Sequence, residues 1–165
     1  MSDEATPSVR WHTREDSGLR IDRQQRWWHD DVRIEHPRII EAFNRGLTVE
    51  PDGRFMLRLG NDWCFVQVED CAFAVLAVDF SPAESRLSIR LTDRTAEWLD
   101  VETLSVDAEG VLVVQVKNRT TRARFSREAQ FELASHAVID GDRLSFQFGD
   151  THFTTSLPAA AFTSA

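Results

Sequence analysis

No tyrosine occurs anywhere in the 165 residues, so aromatic packing falls to eleven Phe and five Trp. Cysteine is nearly absent too, with Cys64 and Cys71 alone and too far apart for a CxxC motif. If Glu69-Asp70 turns a hairpin, the two thiols lie roughly 13 Å apart along the ladder. That exceeds the ~7 Å Cα limit for a disulfide, so two reduced thiols are expected. No apolar run approaches the roughly 20 residues that cross a bilayer. Residues 1–7 are polar and acidic and lack an apolar signal core, so export is not expected and the cytoplasm is the default. Positive charge is in deficit as well. A formal net charge of −8 disfavours a general nucleic-acid binder, whose grip on phosphates needs clustered cations. The seven glycines are dispersed at turns, and neither GxGxxG nor GxxxxGK[ST] occurs. A GxSxG elbow and an HExxH helix are also missing, which lowers the expectation of an enzyme without closing the question.

What is present is an ordinary globular composition, 42% hydrophobic and 28% charged. A chain this long buries roughly 68–70% of its unfolded surface without a staple. Residues 1–18 lack periodicity and read as a loose arm, in which Trp11 is the one residue expected to dock. Residues 37–45 read as the clearest helix, with Pro37 at its first position, Ile39, Ile40 and Phe43 on one face, and Gly46 as a left-handed stop. Phe55, Leu57 and Leu59 alternate with Met56 and Arg58, and Leu87, Ile89 and Leu91 alternate inward over residues 86–91, so both stretches predict strands with one buried face. The almost wholly apolar run 71–80 predicts a central strand covered on both faces. Asp93 predicts the cap of a short helix reaching Leu99, and Ser126 the cap of a second helix through residue 135. Of the pair Trp27-Trp28, one indole is expected in the core and the other outside it.

The order of elements repeats. Strand, strand, strand, helix, strand, strand, strand describes residues 19–68, and the same order returns after Leu104 with matching Gly turns at Gly53 and Gly141 and at Gly60 and Gly149. The expected fold is α+β: two repeated motifs of mainly antiparallel strands plus one helix, packed into one compact unit. Residues 19–92 form the first motif, 93–157 the second, and 158–165 a frayed tail. A cleft between the motifs is a natural ligand site.

Leu19-Arg20-Ile21-Asp22, Trp27-Trp28-His29, Ile34, Pro37, Ile40 and Phe43 together resemble the opening of the bacterial domain-of-unknown-function family 1285. Val68-Glu69-Asp70-Cys71-Ala72-Phe73 is similar to that family's Val-Glu-Asp-Ala-Pro-Phe segment. Ala123-Arg124, Arg127 and Phe131-Glu132-Leu133 are similar to its C-terminal strand-to-helix stretch. Asp31 stands where a turn glycine is expected, Ala72 replaces Pro, and a Thr-Pro-like segment is missing near Gly60-Asn61. The resemblance implies a duplicated α+β fold, no established activity, and a loose connection to signal transduction.

Two side-chain groups could carry function. Arg119, Arg122, Arg124 and Arg127 are concentrated in an otherwise acidic chain, with Arg127 at a helix N-terminus that would welcome an anion. They form the candidate ligand or anion-binding surface, set against the plainer reading of a solvated edge strand with arginines paired to acids. His29, Asp31 and His36 are the candidate metal ligands, set against Asp30-Asp31 as a turn and His36 as a helix cap. His152 sits in a turn without a nucleophile beside it. The preferred reading is a cytoplasmic binding or regulatory module for a small anion or protein partner, requiring no cofactor, as monomer or homodimer. The alternative is a small metal-dependent hydrolase built on His29, Asp31 and His36.

Overall fold

The computed structural model describes residues 11–158. Fifteen strands fall into five antiparallel three-stranded meanders. The first is β1 (Leu19–Ile21), β2 (Trp27–His29) and β3 (Val32–Arg33), followed by helix α1 (Pro37–Gly46). The second is β4 (Leu47–Val49), β5 (Phe55–Leu59) and β6 (Asp62–Val68). Its first two strands straddle a Pro-Asp-Gly turn in which Gly53 adopts φ +86°, open to glycine at no steric cost. The third is β7 (Phe73–Ser81), β8 (Arg86–Leu91) and β9 (Ala96–Trp98), and a 3-10 turn, η1 (Val101–Thr103), leads on. The fourth is β10 (Ser105–Val106), β11 (Leu112–Val116) and β12 (Thr121–Phe125), followed by α2 (Arg127–Ser135). The fifth is β13 (Ala137–Asp140), β14 (Arg143–Phe148) and β15 (Thr151–Pro158).

Meanders join in pairs through one parallel contact. β1 lies parallel to β6, giving the sheet order β3-β2-β1-β6-β5-β4. β7 lies parallel to β12, giving β10-β11-β12-β7-β8-β9. The two sheets are therefore built alike: first strand against last at the centre, with the outer strands added antiparallel. The order of elements from β10 through α2 to β15 also repeats that of β1 through α1 to β6. There β15 runs beside η1 and β10 without ladder bonds, so the fifth meander stays a separate sheet. The repeated α+β motif legible in the sequence is present, and one continuous core, from Ile21 and Trp27 to Leu144 and Leu157, unites the elements. Among the described residues no helix is long and apolar enough to cross a membrane.

Several local expectations meet their physical causes here. Ser126 caps α2 as its sequence suggests, its Oγ accepting from the Ala129 N–H at 3.1 Å. Trp27 is buried, and its Nε1 donates to Asn44 Oδ1 at 2.8 Å, while Trp28 sits half-buried beneath the Arg20 guanidinium. β7 is central, and Phe73, Ala74 and Val75 are covered, yet Leu76 is 45% exposed where a register shift between Val75 and Ala77 turns it outward.

Two expectations are corrected. Gly46 does not end α1 in the left-handed region; it is helical, and a Cβ there would meet the Arg58 carbonyl oxygen at 2.3 Å. Glycine serves close approach of the helix end to β5. Residues 93–99 form no helix. Asp93 Oδ1 accepts from the Thr95 N–H and hydroxyl, Arg94 takes φ +67°, and the chain leaves that turn as β9. An Asp side chain two residues before a Thr satisfied the backbone locally, in competition with a helix cap.

Candidate functional site

α1 is amphipathic, yet none of its residues is buried. Phe43 meets the edge of Trp27, with ring centroids 5.1 Å apart, and Ile39 is left 42% exposed. On the same side Val32 is 72% exposed at the edge of the sheet. Between them runs an open groove of about 800 Å³, walled by Leu19, Val32, Ile34, Ile39, Phe43 and Trp63, with Cys64 at its side.

Polar groups gather along this groove. Residues 12–17 lie against β6: the Phe65 N–H donates to the Arg14 carbonyl at 2.8 Å, and Ser17 Oγ donates to the Phe65 carbonyl at 2.6 Å. The Arg14 guanidinium covers the Trp63 ring at 5.0 Å. Trp11 itself is 87% exposed, so docking falls to its neighbour His12. His12 Nε2 is 3.0 Å from Asp30 Oδ2, and the His12 and His29 rings lie 4.8 Å centroid to centroid. Gly18 makes the approach feasible. It has φ +71°, its carbonyl accepts from the Asp30 N–H at 2.8 Å, and a Cβ on it would come within 2.6 Å of both Asp30 and His12.

The candidate ligands named from sequence are distributed differently. His29 closes β2, but Asp30 and Asp31 are the turn residues, and Asp30 has φ +50°. Strand alternation therefore stops at His29, and it is Asp30 that turns toward the imidazoles. Among the described residues the group of metal-capable side chains that converges is His12, His29 and Asp30; Asp31 and His36 stand outside it. His36 precedes α1 at the cap position without a side-chain cap bond. Sequence reasoning missed His12 because it lies in a segment without periodicity. The signal that could have found it is Gly18, whose turn folds that segment back.

The four arginines have different partners. Arg119, in the β11–β12 turn, pairs with Asp100 at 2.6 Å. Arg122 reaches Asp70 at 3.0 Å. Arg124 is bound to Glu109, lies 3.3 Å from Asp107, and donates to the Arg23 carbonyl at 3.0 Å. Burial works against its charge, but these acids hold the guanidinium above its ordinary pKa. Arg127, first in α2, is exposed and makes no ion pair among the described residues; it borders a shallow groove with the 75% exposed Phe131. A small cavity of about 160 Å³ adjoins Arg124, lined also by Asp70, Asp107 and Glu109.

Both cysteines are free. Burial, aided by the neighbouring Asp70 carboxylate, pushes the Cys71 thiol up to about 11, which leaves it protonated and unreactive at neutral pH. His152 faces Gln147 across the β14–β15 ladder.

No protein-family profile matches the chain, and no curated protein does. Two solved structures share its fold. A DUF1285 family protein from Silicibacter pomeroyi superposes with a TM-score of 0.63 at 18% identity, over 93% of this chain and 88% of that one. A second DUF1285 family protein, from Shewanella baltica, gives 0.55 at 14% identity, over 72% of this chain and 91% of that one. Both structural neighbours thus carry the family that the N-terminal and C-terminal residue patterns resemble.

Proposed function

We propose that this chain is a binding or regulatory module whose ligand is an elongated apolar molecule with a carboxylate head, held in the groove beside α1. The observation that carries this reading is the amphipathic helix with no buried residue, set over a groove of about 800 Å³. That size falls inside the roughly 300–1,000 Å³ typical of small-molecule sites, as does the composition of apolar walls with few polar groups. The wall residues take the apolar body. Arg14, which makes no ion pair among the described residues, supplies the donors for the head. Two free thiols suit a reducing compartment, and the cytoplasm is part of this reading. The fold shared with the DUF1285 structures brings no activity of its own.

Calorimetric titration with a medium-chain fatty acid, dodecanoate, tests it. Saturable binding is expected, weakened at least about tenfold by Ile39→Glu or Val32→Glu, because each buries a carboxylate against the ligand's apolar body. Both residues are exposed, so the fold should survive. Absence of saturable binding, or affinity unchanged from the parent in both variants, overturns the reading.

A further inference from the structure

The geometry points to a divalent transition-metal site, of the zinc class, formed by His12, His29 and Asp30. It goes beyond the groove reading and does not rest on it. One ligand atom from each of the three side chains lies within 4.8 Å of the others. Around an ion with bonds of about 2.0–2.2 Å, neighbouring ligand atoms of a tetrahedron stand about 3.3 Å apart. The 3.0 Å between His12 Nε2 and Asp30 Oδ2 is already close to that edge, and the His29 nitrogen, within 4.8 Å of both, has to move inward to complete the third vertex.

Placement is as telling as distance. The three side chains come from the segment pinned on β6, the end of β2 and the β2–β3 turn. Gly18 is the cradle: any side chain there would occupy space taken by His12 and Asp30. Two imidazoles with one carboxylate select zinc, iron, cobalt or nickel over magnesium and calcium, which favour all-oxygen shells. Three protein ligands leave a coordination position for an outside group, as in open sites and not in closed structural ones. His12 and His29 both border the apolar groove, so that position adjoins it. The competing account is a simple His12–Asp30 ion pair that fastens the N-terminal segment to the hairpin, and it requires no ion.

The test uses the chelator-stripped chain and Zn²⁺ or Co²⁺ alone. One ion per chain is expected by calorimetry, with visible Co²⁺ bands of low coordination number. His29→Ala, at an exposed position that should fold, is expected to weaken binding by roughly 10–100-fold or more, and Asp30→Asn likewise. His36→Ala and Cys64→Ser should bind as the parent does. Ile39→Glu should also keep the ion, which separates failure of this site from failure of the groove. Lack of saturable binding in the parent chain, or binding undiminished in His29→Ala, overturns the site.

Discussion

Asp22 is the most heavily bonded single side chain described. Only 4% exposed, it accepts from the Gln24 and Arg26 N–H groups at 2.9 Å each, from Arg26 Nε at 2.7 Å and from the Trp28 indole at 2.9 Å. Burial alone would raise its pKa, but these donors outweigh burial and hold the carboxyl below its ordinary value. A depressed folded-state pKa contributes stability above the unfolded value of about 3.9 and loses it as pH falls through the folded one. Asp22→Asn, which turns an amide N–H₂ toward donors, should therefore cost about 2 kcal/mol at pH 7. Urea titrations at pH 7 and pH 3 should show that gap narrowing in acid. A gap of constant size would remove the linkage. This hairpin was legible from sequence as a Leu-Arg-Ile-Asp strand and a Gln-Gln turn, but the carboxylate's four donors were not, because they converge only when the turn folds and one of them, the Trp28 indole, arrives from the returning strand.

At the scale of elements, α1 shows what local pattern can and cannot reveal. Pro37, the apolar face and the stop at residue 46 all mark a helix of the right length. The reason for Gly46 is tertiary, since the Arg58 carbonyl sits where a Cβ would be. Gly46→Ala should therefore destabilise by about 1–3 kcal/mol through overpacking, despite alanine's better helix propensity. Thermal unfolding of the variant checks this, and a stabilised protein would rule out the close approach to the Arg58 carbonyl. Residues 93–99 were opaque for a related reason. Asp followed by Thr two residues later fits an Asx turn as well as a helix cap, and only pairing with β8 decides between them. The converging site was half legible. His29 and the Asp pair could be read, but parity along a strand misassigned the carboxylate once the strand stopped at His29.

Across the whole molecule, the arginines act as clasps. Arg124 joins the β1–β2 turn to the β10–β11 turn, 101 residues from the carbonyl it binds, and Arg122 ties β12 to the β6–β7 connection. Such pairings between distant segments cannot be seen in a linear charge pattern, which shows only that arginines are concentrated. With its side chain 12% exposed, Arg124 leaves two acids facing one another when removed. Arg124→Met should lower global stability by about 2 kcal/mol in denaturant titrations. If Arg124 were an open anion receptor instead, the loss would be near zero.

The β1–β6 seam has a mechanical meaning. Its ladder covers only Arg20↔Gln67 and Ile21↔Val68, and the groove's walls stand on opposite sides of it, Val32 on one and Trp63 on the other. Residues 12–17 cross the same joint as a strap, fastened to β6 at one end and to the β2–β3 turn through His12 at the other. A twist about so short a seam changes the gap between the walls while sacrificing few bonds. Residues 12–17 therefore add, across that joint, bonds that the short ladder itself lacks.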